Sequence, residues 1–212
     1  MNVLKSKKHK SNKKEVAMAR KREFDEDEAL KQAMQLFWVQ GYEKTSMEDL
    51  VNQMGVHRKS IYDTFGNKHE LFIKALEHYK TSIGQQMLLY IANKESALDK
   101  MKALFDFSIR SNEELAKGCL VVNTAVELSL HDEVIAQIVR TNFNETEKVI
   151  YQLLQLGQTT GEFSSKLDLA VTTQFIHNAL IGIRVQLKTT DGQPKLQPII
   201  DMTLQVLKST YN

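Results

Sequence analysis

The stretch Thr45-Ser46-Met47-Glu48-Asp49-Leu50-Val51-Asn52-Gln53-Met54-Gly55-Val56-His57-Arg58-Lys59-Ser60-Ile61-Tyr62-Asp63-Thr64-Phe65 decides the fold of this 212-residue chain. It reads as two short helices around a turn. The hydroxyl of Thr45 or Ser46 can cap the first, with Glu48 or Asp49 three residues on. Leu50, Val51 and Met54 recur at helical spacing, and Gly55 stops the helix. A second helix runs from about His57 to Phe65, with Ile61 and Phe65 facing inward. Two short helices joined by a glycine-containing turn form the helix-turn-helix pattern. In that pattern the second helix lies in the major groove of DNA, its N-terminal residues toward base edges. Its outward positions are His57, Arg58, Lys59, Ser60, Asp63 and Thr64. Arginine and lysine read guanine edges, and serine or threonine can bond to bases or phosphates. Tyr62 and Lys68 flank the groove and suit phosphate oxygens. The helix opened by Thr45 and Ser46 also offers unpaired backbone N–H groups to an anion.

Working outward, the rest of the chain is helical too. Before this stretch, Phe24, Asp25 and Glu28 read as a staple and capping box. They open a helix with an Ala29, Ala33, Met34, Leu36, Phe37 stripe that ends at Gly41. After it, Asn67-Lys68-His69-Glu70 is a further capping box, opening a long helix through Leu71, Phe72, Ala75, Leu76, Tyr79 and Ile83. Longer helices follow over 96–111, 118–130, 132–156, 167–188 and 196–209. The only prolines are Pro194 and Pro198, and period-two alternation is scarce, so the expected class is all-α. The expected organisation is a basic arm over residues 1–21, a three-helix DNA-binding domain over 22–82, and a helical ligand-binding and dimerisation domain over 83–212.

Composition bounds the function. With 42% hydrophobic and 25% charged residues the chain can bury a sizeable core. One cysteine excludes an internal disulfide framework and a zinc ribbon, so no metal site is expected. No apolar run approaches the roughly 20 residues of a membrane helix, and the N-terminus lacks a signal-peptide core. A cytoplasmic protein is the expectation. The net charge of +2 conceals a distribution: +8 over residues 1–22, −4 over 23–80 and −2 over 81–212. A basic arm ahead of a mildly acidic body suits a polyanionic partner.

A family resemblance now follows from particular residues. Leu36, Phe37, Gly41, Tyr42, Thr45, Ser46 and Leu50, then Met54-Gly55-Val56, then Ser60-Ile61-Tyr62, Phe65, Lys68, Leu71 and Phe72 are spaced as in the DNA-binding domain of the TetR/AcrR family of bacterial transcriptional regulators. The likeness covers about residues 22–82. Lys117-Gly118-Cys119-Leu120-Val121-Val122-Asn123 resembles, more weakly, a segment of one AcrR-like subgroup. The resemblance implies a homodimer that represses from a palindromic operator in double-stranded DNA and is released by a small-molecule effector. It implies phosphate contacts from Thr45, Tyr62 and Lys68, and base contacts from His57–Ser60. Two departures are His57, where the family usually has a serine or threonine cap, and Thr64, where histidine is frequent.

In the C-terminal half, two recognition helices must be held about one DNA turn, or a multiple, apart, which calls for a dimer. Leu167, Val171, Gln174, Asn178, Gly182 and Val185 share a helix face and form the candidate seam, together with 196–207. Candidate effector contacts are Phe105, Ile109, Asn123, Glu127, Phe143, Tyr151, Phe175 and His177, apolar walls with a few polar groups. Cys119, just after Gly118, is a candidate redox thiol, because a helix N-terminus can favour the thiolate. No phosphate loop, Gly-x-Ser-x-Gly or His-Glu-x-x-His is present, and catalysis is not expected; no cofactor is implied. The rival readings are an activator or ligand-independent DNA binder of the same fold and, more remotely, a helical-bundle enzyme or carrier. Deleting residues 1–21 should flatten the dependence of DNA affinity on salt while the preferred operator stays the same. A changed preference in a DNA-selection experiment would show that the arm reads sequence.

Overall fold

The computed structural model describes residues 24–110, 118–189 and 195–208. The expected arm, the Lys117 of the weaker likeness and the 190–194 turn lie outside these. Among the described residues every regular element is α-helical: α1 (Glu26–Gln40), α2 (Met47–Met54), α3 (Arg58–Phe65), α4 (Lys68–Ala92), α5 (Ala97–Arg110), α6 (Leu120–Leu128), α7 (Glu133–Thr159), α8 (Leu169–Gln186) and α9 (Gln197–Gln205). The all-α expectation holds. No described helix is long and apolar enough to cross a membrane.

Local chemistry sets the boundaries. Of the two hydroxyls before α2, Ser46 is the cap: its Oγ accepts from the Asp49 N–H at 3.1 Å, and Asp49 accepts back from the Ser46 N–H at 2.8 Å. Asn67 and Glu70 make the same reciprocal pair at α4. At α1 the box is one-sided. Asp25 accepts from the N–H groups of Asp27 and Glu28, but Glu28 turns to Gln32 and Lys31. Phe24 finds its partner across the turn in the Phe65 ring, 6.2 Å between centroids. α7 runs on through Gly157, which is helical and packed against the Phe163 ring. α6 is shorter than expected, and its N-cap residue Cys119 makes no capping hydrogen bond.

Two clusters form the core. The first joins α1–α3 and the start of α4 to α6 and the start of α7, around the fully buried Phe37, Leu50, Ile61, Leu71 and Leu76 with Leu120 and Ile135. The second lies farther along, around Met101, Leu104, Phe105, Ile150, Ile176 and Ile200. The helix-turn-helix therefore shares its core with α6, rather than ending its packing at residue 82. α4 crosses that position unbroken.

The turn between α2 and α3 rests on Gly55, whose φ of 64° is left-handed, with nothing within 4 Å of a Cβ placed there. Only backbone strain opposes a side chain at this position. Gly55→Ala should therefore cost about 1–2 kcal/mol in urea unfolding, and Gly55→Asn less, since asparagine tolerates that region. Equal losses for the two would contradict this account.

Candidate nucleic-acid interface

The outer edge of α3 carries the groups expected there. His57, Arg58, Lys59, Tyr62 and Asp63 are exposed, and Ser60, Thr64 and Lys68 are half-buried. His57 is the N-cap but makes no side-chain capping bond, so the first N–H groups of α3 keep their capacity for an anion. The Arg58 guanidinium lies 5.9 Å from the Tyr62 ring centroid, and Lys68 Nζ lies 4.3 Å from that of Tyr42. Both cations thus lie against aromatic faces, and neither pairs with a carboxylate among the described residues. At the other end, Lys74 Nζ donates to the Thr64 and Phe65 carbonyls at 3.2 and 3.1 Å and closes the C-terminus of α3.

Thr45 requires a correction. It is fully buried, and its hydroxyl donates to the Gly41 carbonyl at 2.6 Å. Its side chain fixes the α1–α2 turn and is not turned out toward a phosphate. Ser46 is exposed but spends its oxygen on the cap.

The turn that Thr45 closes is held from the other half of the chain. Glu127, on α6, accepts from the Tyr42 N–H at 3.1 Å and the Glu43 N–H at 2.9 Å, one with each carboxylate oxygen. Gly41 has φ 84°, and a Cβ there would sit 3.0 Å from both oxygens, so the latch needs glycine. Four residues after α6 begins to end, a second latch forms: Asp132 caps α7 through the Ile135 N–H and meets His69 Nε2, on α4, at 2.6 Å. The Ile135 N–H, then His69, hold the Asp132 carboxyl below its usual range despite some desolvation. The α6–α7 corner therefore holds the chain on both sides of the helix-turn-helix, at the α1–α2 turn before it and at the start of α4 after it. Glu127 was expected to face an effector; its carboxylate is instead occupied by backbone.

The other effector candidates do not share one wall. Phe105 and Ile109 are sealed in the second core. Tyr151 is 40% exposed and Phe175 46% exposed. Phe175 belongs with Val171 on the outer face of α8, where Gln174, Asn178 and Val185 are exposed and Gly182 is half-buried. Leu167 differs from these, being packed against the second core. Asn123 and Glu127 line a cleft of about 460 Å³ between the end of α1, α6 and the end of α8, with Trp38, Val39, Val126 and Val185. Phe143 and His177 meet edge to face at 5.3 Å.

His177 leads to groups that the sequence reading missed. Its Nδ1 pairs with Glu147 at 2.9 Å, while its Nε2 is buried without a partner among the described residues. Two turns on, Arg184 reaches Ser108 Oγ at 3.4 Å. Tyr79 donates to the Cys119 sulfur at 3.5 Å. Burial first, then Cys119, push the Tyr79 phenol well above its ordinary range. The available signal was Arg184 itself, the one arginine or lysine in α8 and set among apolar residues. Cys119 is 6% exposed, so the thiol expected to sense oxidants is covered. Among the described residues no group of three or more potential ligands is arranged to hold a metal ion.

Together these features define a helix-turn-helix DNA-binding regulator with a helical body. Comparison with known proteins gives the family. Residues 29–75 match the model for bacterial regulatory proteins of the tetR family, and 97–201 match the tetracyclin repressor-like C-terminal domain. The chain belongs to the TetR family of DNA-binding transcriptional regulators, which are not enzymes. It is 28% identical over 193 residues to the uncharacterized HTH-type transcriptional regulator YezE of Bacillus subtilis (strain 168), covering 90% of this chain and 100% of that one. It is 27% identical over 186 residues to the HTH-type transcriptional repressor ComR of Escherichia coli (strain K12), covering 86% and 89%. Among solved structures it resembles a cysteine mutant of the TetR family regulator CifR complexed with a 26-base-pair operator duplex. The TM-score is 0.81 at 27% identity, over 89% of this chain and 100% of that one.

Burial is the main cause that lowers the His177 pKa, with Arg184 adding to it and Glu147 opposing. The unfolded chain therefore binds this proton more readily than the folded one. Stability contributed at neutral pH is lost as the pH falls below about 6.5. The unfolding midpoint of the wild type should drop more between about pH 7 and 5 than that of His177→Gln. Parallel curves would remove His177 from the account. Asp132, with its carboxyl pKa lowered, loses its contribution only at lower pH, outside this window.

Proposed function

We propose that this protein is a homodimeric repressor that occupies a palindromic operator and leaves it when a small-molecule effector binds the helical body. The supporting observation is the exposed basic edge of α3, in a domain whose α1–α2 turn and α4 start are each held by a carboxylate of the α6–α7 corner. In this reading residues 22–82 are the DNA-binding domain and 83–212 the effector and dimerisation domain. His57, Arg58, Lys59 and Ser60 approach bases, with Thr64 at the margin, and Tyr62 and Lys68 contact phosphates. Thr45 and Ser46 act through the turn and the α2 cap they build.

The dimer seam is the outer face of α8, with Val171, Gln174, Phe175, Asn178, Gly182 and Val185, continued by Ile199 and Met202 of α9. Val171 and Met202 are 62% and 66% exposed, an apolar surface that a partner would cover. A Cβ at Gly182 would meet nothing within 4 Å in the single chain, which leaves room for a helix to approach.

Release is a population shift. An effector that moves α6 carries Glu127 and Asp132 with it. Those carboxylates then pull on the α1–α2 turn and the start of α4. The two recognition helices lose the spacing that fits adjacent major grooves.

The test is fluorescence anisotropy on a duplex selected by the protein itself. Arg58→Ala should narrow the gap between operator and unrelated DNA by about 1–3 kcal/mol. Lys68→Ala should weaken all sequences alike and reduce the log–log salt slope by about one phosphate equivalent. Glu127→Gln loses the charge but little volume, and should weaken operator binding roughly fivefold to tenfold with the ranking of sequences intact. If no duplex is selected, the reading fails; if Lys68→Ala changes preference at a single base pair, its phosphate role fails.

A further inference from the structure

The buried polar groups of the helical body are left in an unbalanced state that specifies a ligand. α8 carries the buried His177 and the half-buried Arg184 on one face, seven residues and so about 10 Å apart along the axis. His177 is 4% exposed. Its Nδ1 faces the Glu147 carboxylate, which can only accept, so in the neutral ring the proton sits on Nδ1. Nε2 then presents a lone pair, buried and with no donor among the described residues. At the other end, the half-buried Arg184 has no carboxylate among the described residues and reaches only a serine hydroxyl. Its backbone is packed against the Gly118–Cys119 turn, where a Cβ on Gly118 would lie 3.0 Å from the Arg184 carbonyl. That turn brings the uncapped N-terminus of α6 and the Tyr79–Cys119 pair to the same place. The Phe143 ring meets His177 edge to face.

A half-buried guanidinium with no carboxylate partner among the described residues keeps its fork open, and a planar carboxylate satisfies it with two parallel hydrogen bonds. An orphaned buried acceptor is costly until a donor reaches it. We infer that the effector is a small aromatic acid. Its carboxylate is taken by Arg184, its ring packs beside Phe143, and a hydroxyl at its far end donates to His177 Nε2. This inference rests on the reading of the body as an effector domain and names the chemistry of that site. It also places the acid against the Cys119 end of α6, the helix whose other end holds Glu127 on the α1–α2 turn. Occupancy at Arg184 is thereby felt at the latch.

The experiment uses the full-length protein and three probes: para-hydroxybenzoate, its amide para-hydroxybenzamide, and benzoate. Binding is read by thermal shift and calorimetry, and release by anisotropy on the selected duplex. The acid should bind at millimolar concentration or below. The amide, which lacks the charge, should bind at least tenfold more weakly, and benzoate, which lacks the donor, severalfold more weakly. Arg184→Lys keeps the charge but loses the fork, and should also lose at least tenfold, with folding checked by far-ultraviolet circular dichroism. An amide that binds as well as the acid, an Arg184→Lys protein that responds like the wild type, or no stabilisation by any probe would each overturn the inference. Because the first comparison uses only the wild type, it stands even if the variant does not fold. Release of the duplex by the amide would keep the effector reading and reject the acid. Binding of the acid without release would keep the acid site and reject the release mechanism.

Discussion

One carboxylate ties the molecule together. Glu127 accepts two consecutive backbone N–H groups, those of Tyr42 and Glu43, at the turn that sets α2 and α3 against α1. Backbone donors in a turn cannot move without moving the helices they join. The acceptor therefore fixes a conformation and not merely a contact. The neighbouring constraints follow from it. Gly41 has to be glycine to admit the oxygens, and Thr45 turns inward to satisfy the Gly41 carbonyl. α6 has to pack into the same core as Phe37 and Leu71 for Glu127 to reach. A body that shares both a core and a latch with its DNA-binding part has few ways to change shape without altering the other.

Much of this was legible locally. The caps at Asn67–Glu70 and before α2, the stops at Gly41 and Gly55, and the inward Ile61 and Phe65 all follow from short-range chemistry. That is why the helix-turn-helix could be read from about twenty residues. The basic edge was legible for the same reason, since the phase of a short helix assigns its faces. Thr45 and Ser46 were a tie, because both are hydroxyls one position apart. Three-dimensional demand from the Gly41 carbonyl separates them.

The body was less legible because its polar contacts are remote in sequence. Asn123 and Glu127 announced a polar need within an apolar helix. The partners of Glu127 are peptide groups 84 and 85 residues away, and peptide groups carry no residue signature. Phe175 was within reach of the sequence. It shares the helix phase of Val171 and Asn178, and that phase places it on the outer face and not in the interior. Arg184 was legible as an anomaly, the one fixed charge in α8, and its significance rests on the absence of a carboxylate partner among the described residues.

The chain holds a single cysteine, and that thiol sits covered at the start of α6 beneath the Tyr79 hydroxyl. Its inaccessibility gives it a use. A thiol reagent reaches Cys119 when the packing around the start of α6 opens, so the modification rate reports how often that happens. The protein thus carries an internal clock for the opening of its own body. It needs no engineered label, and any ligand that tightens or loosens the start of α6 will change the rate at which it runs.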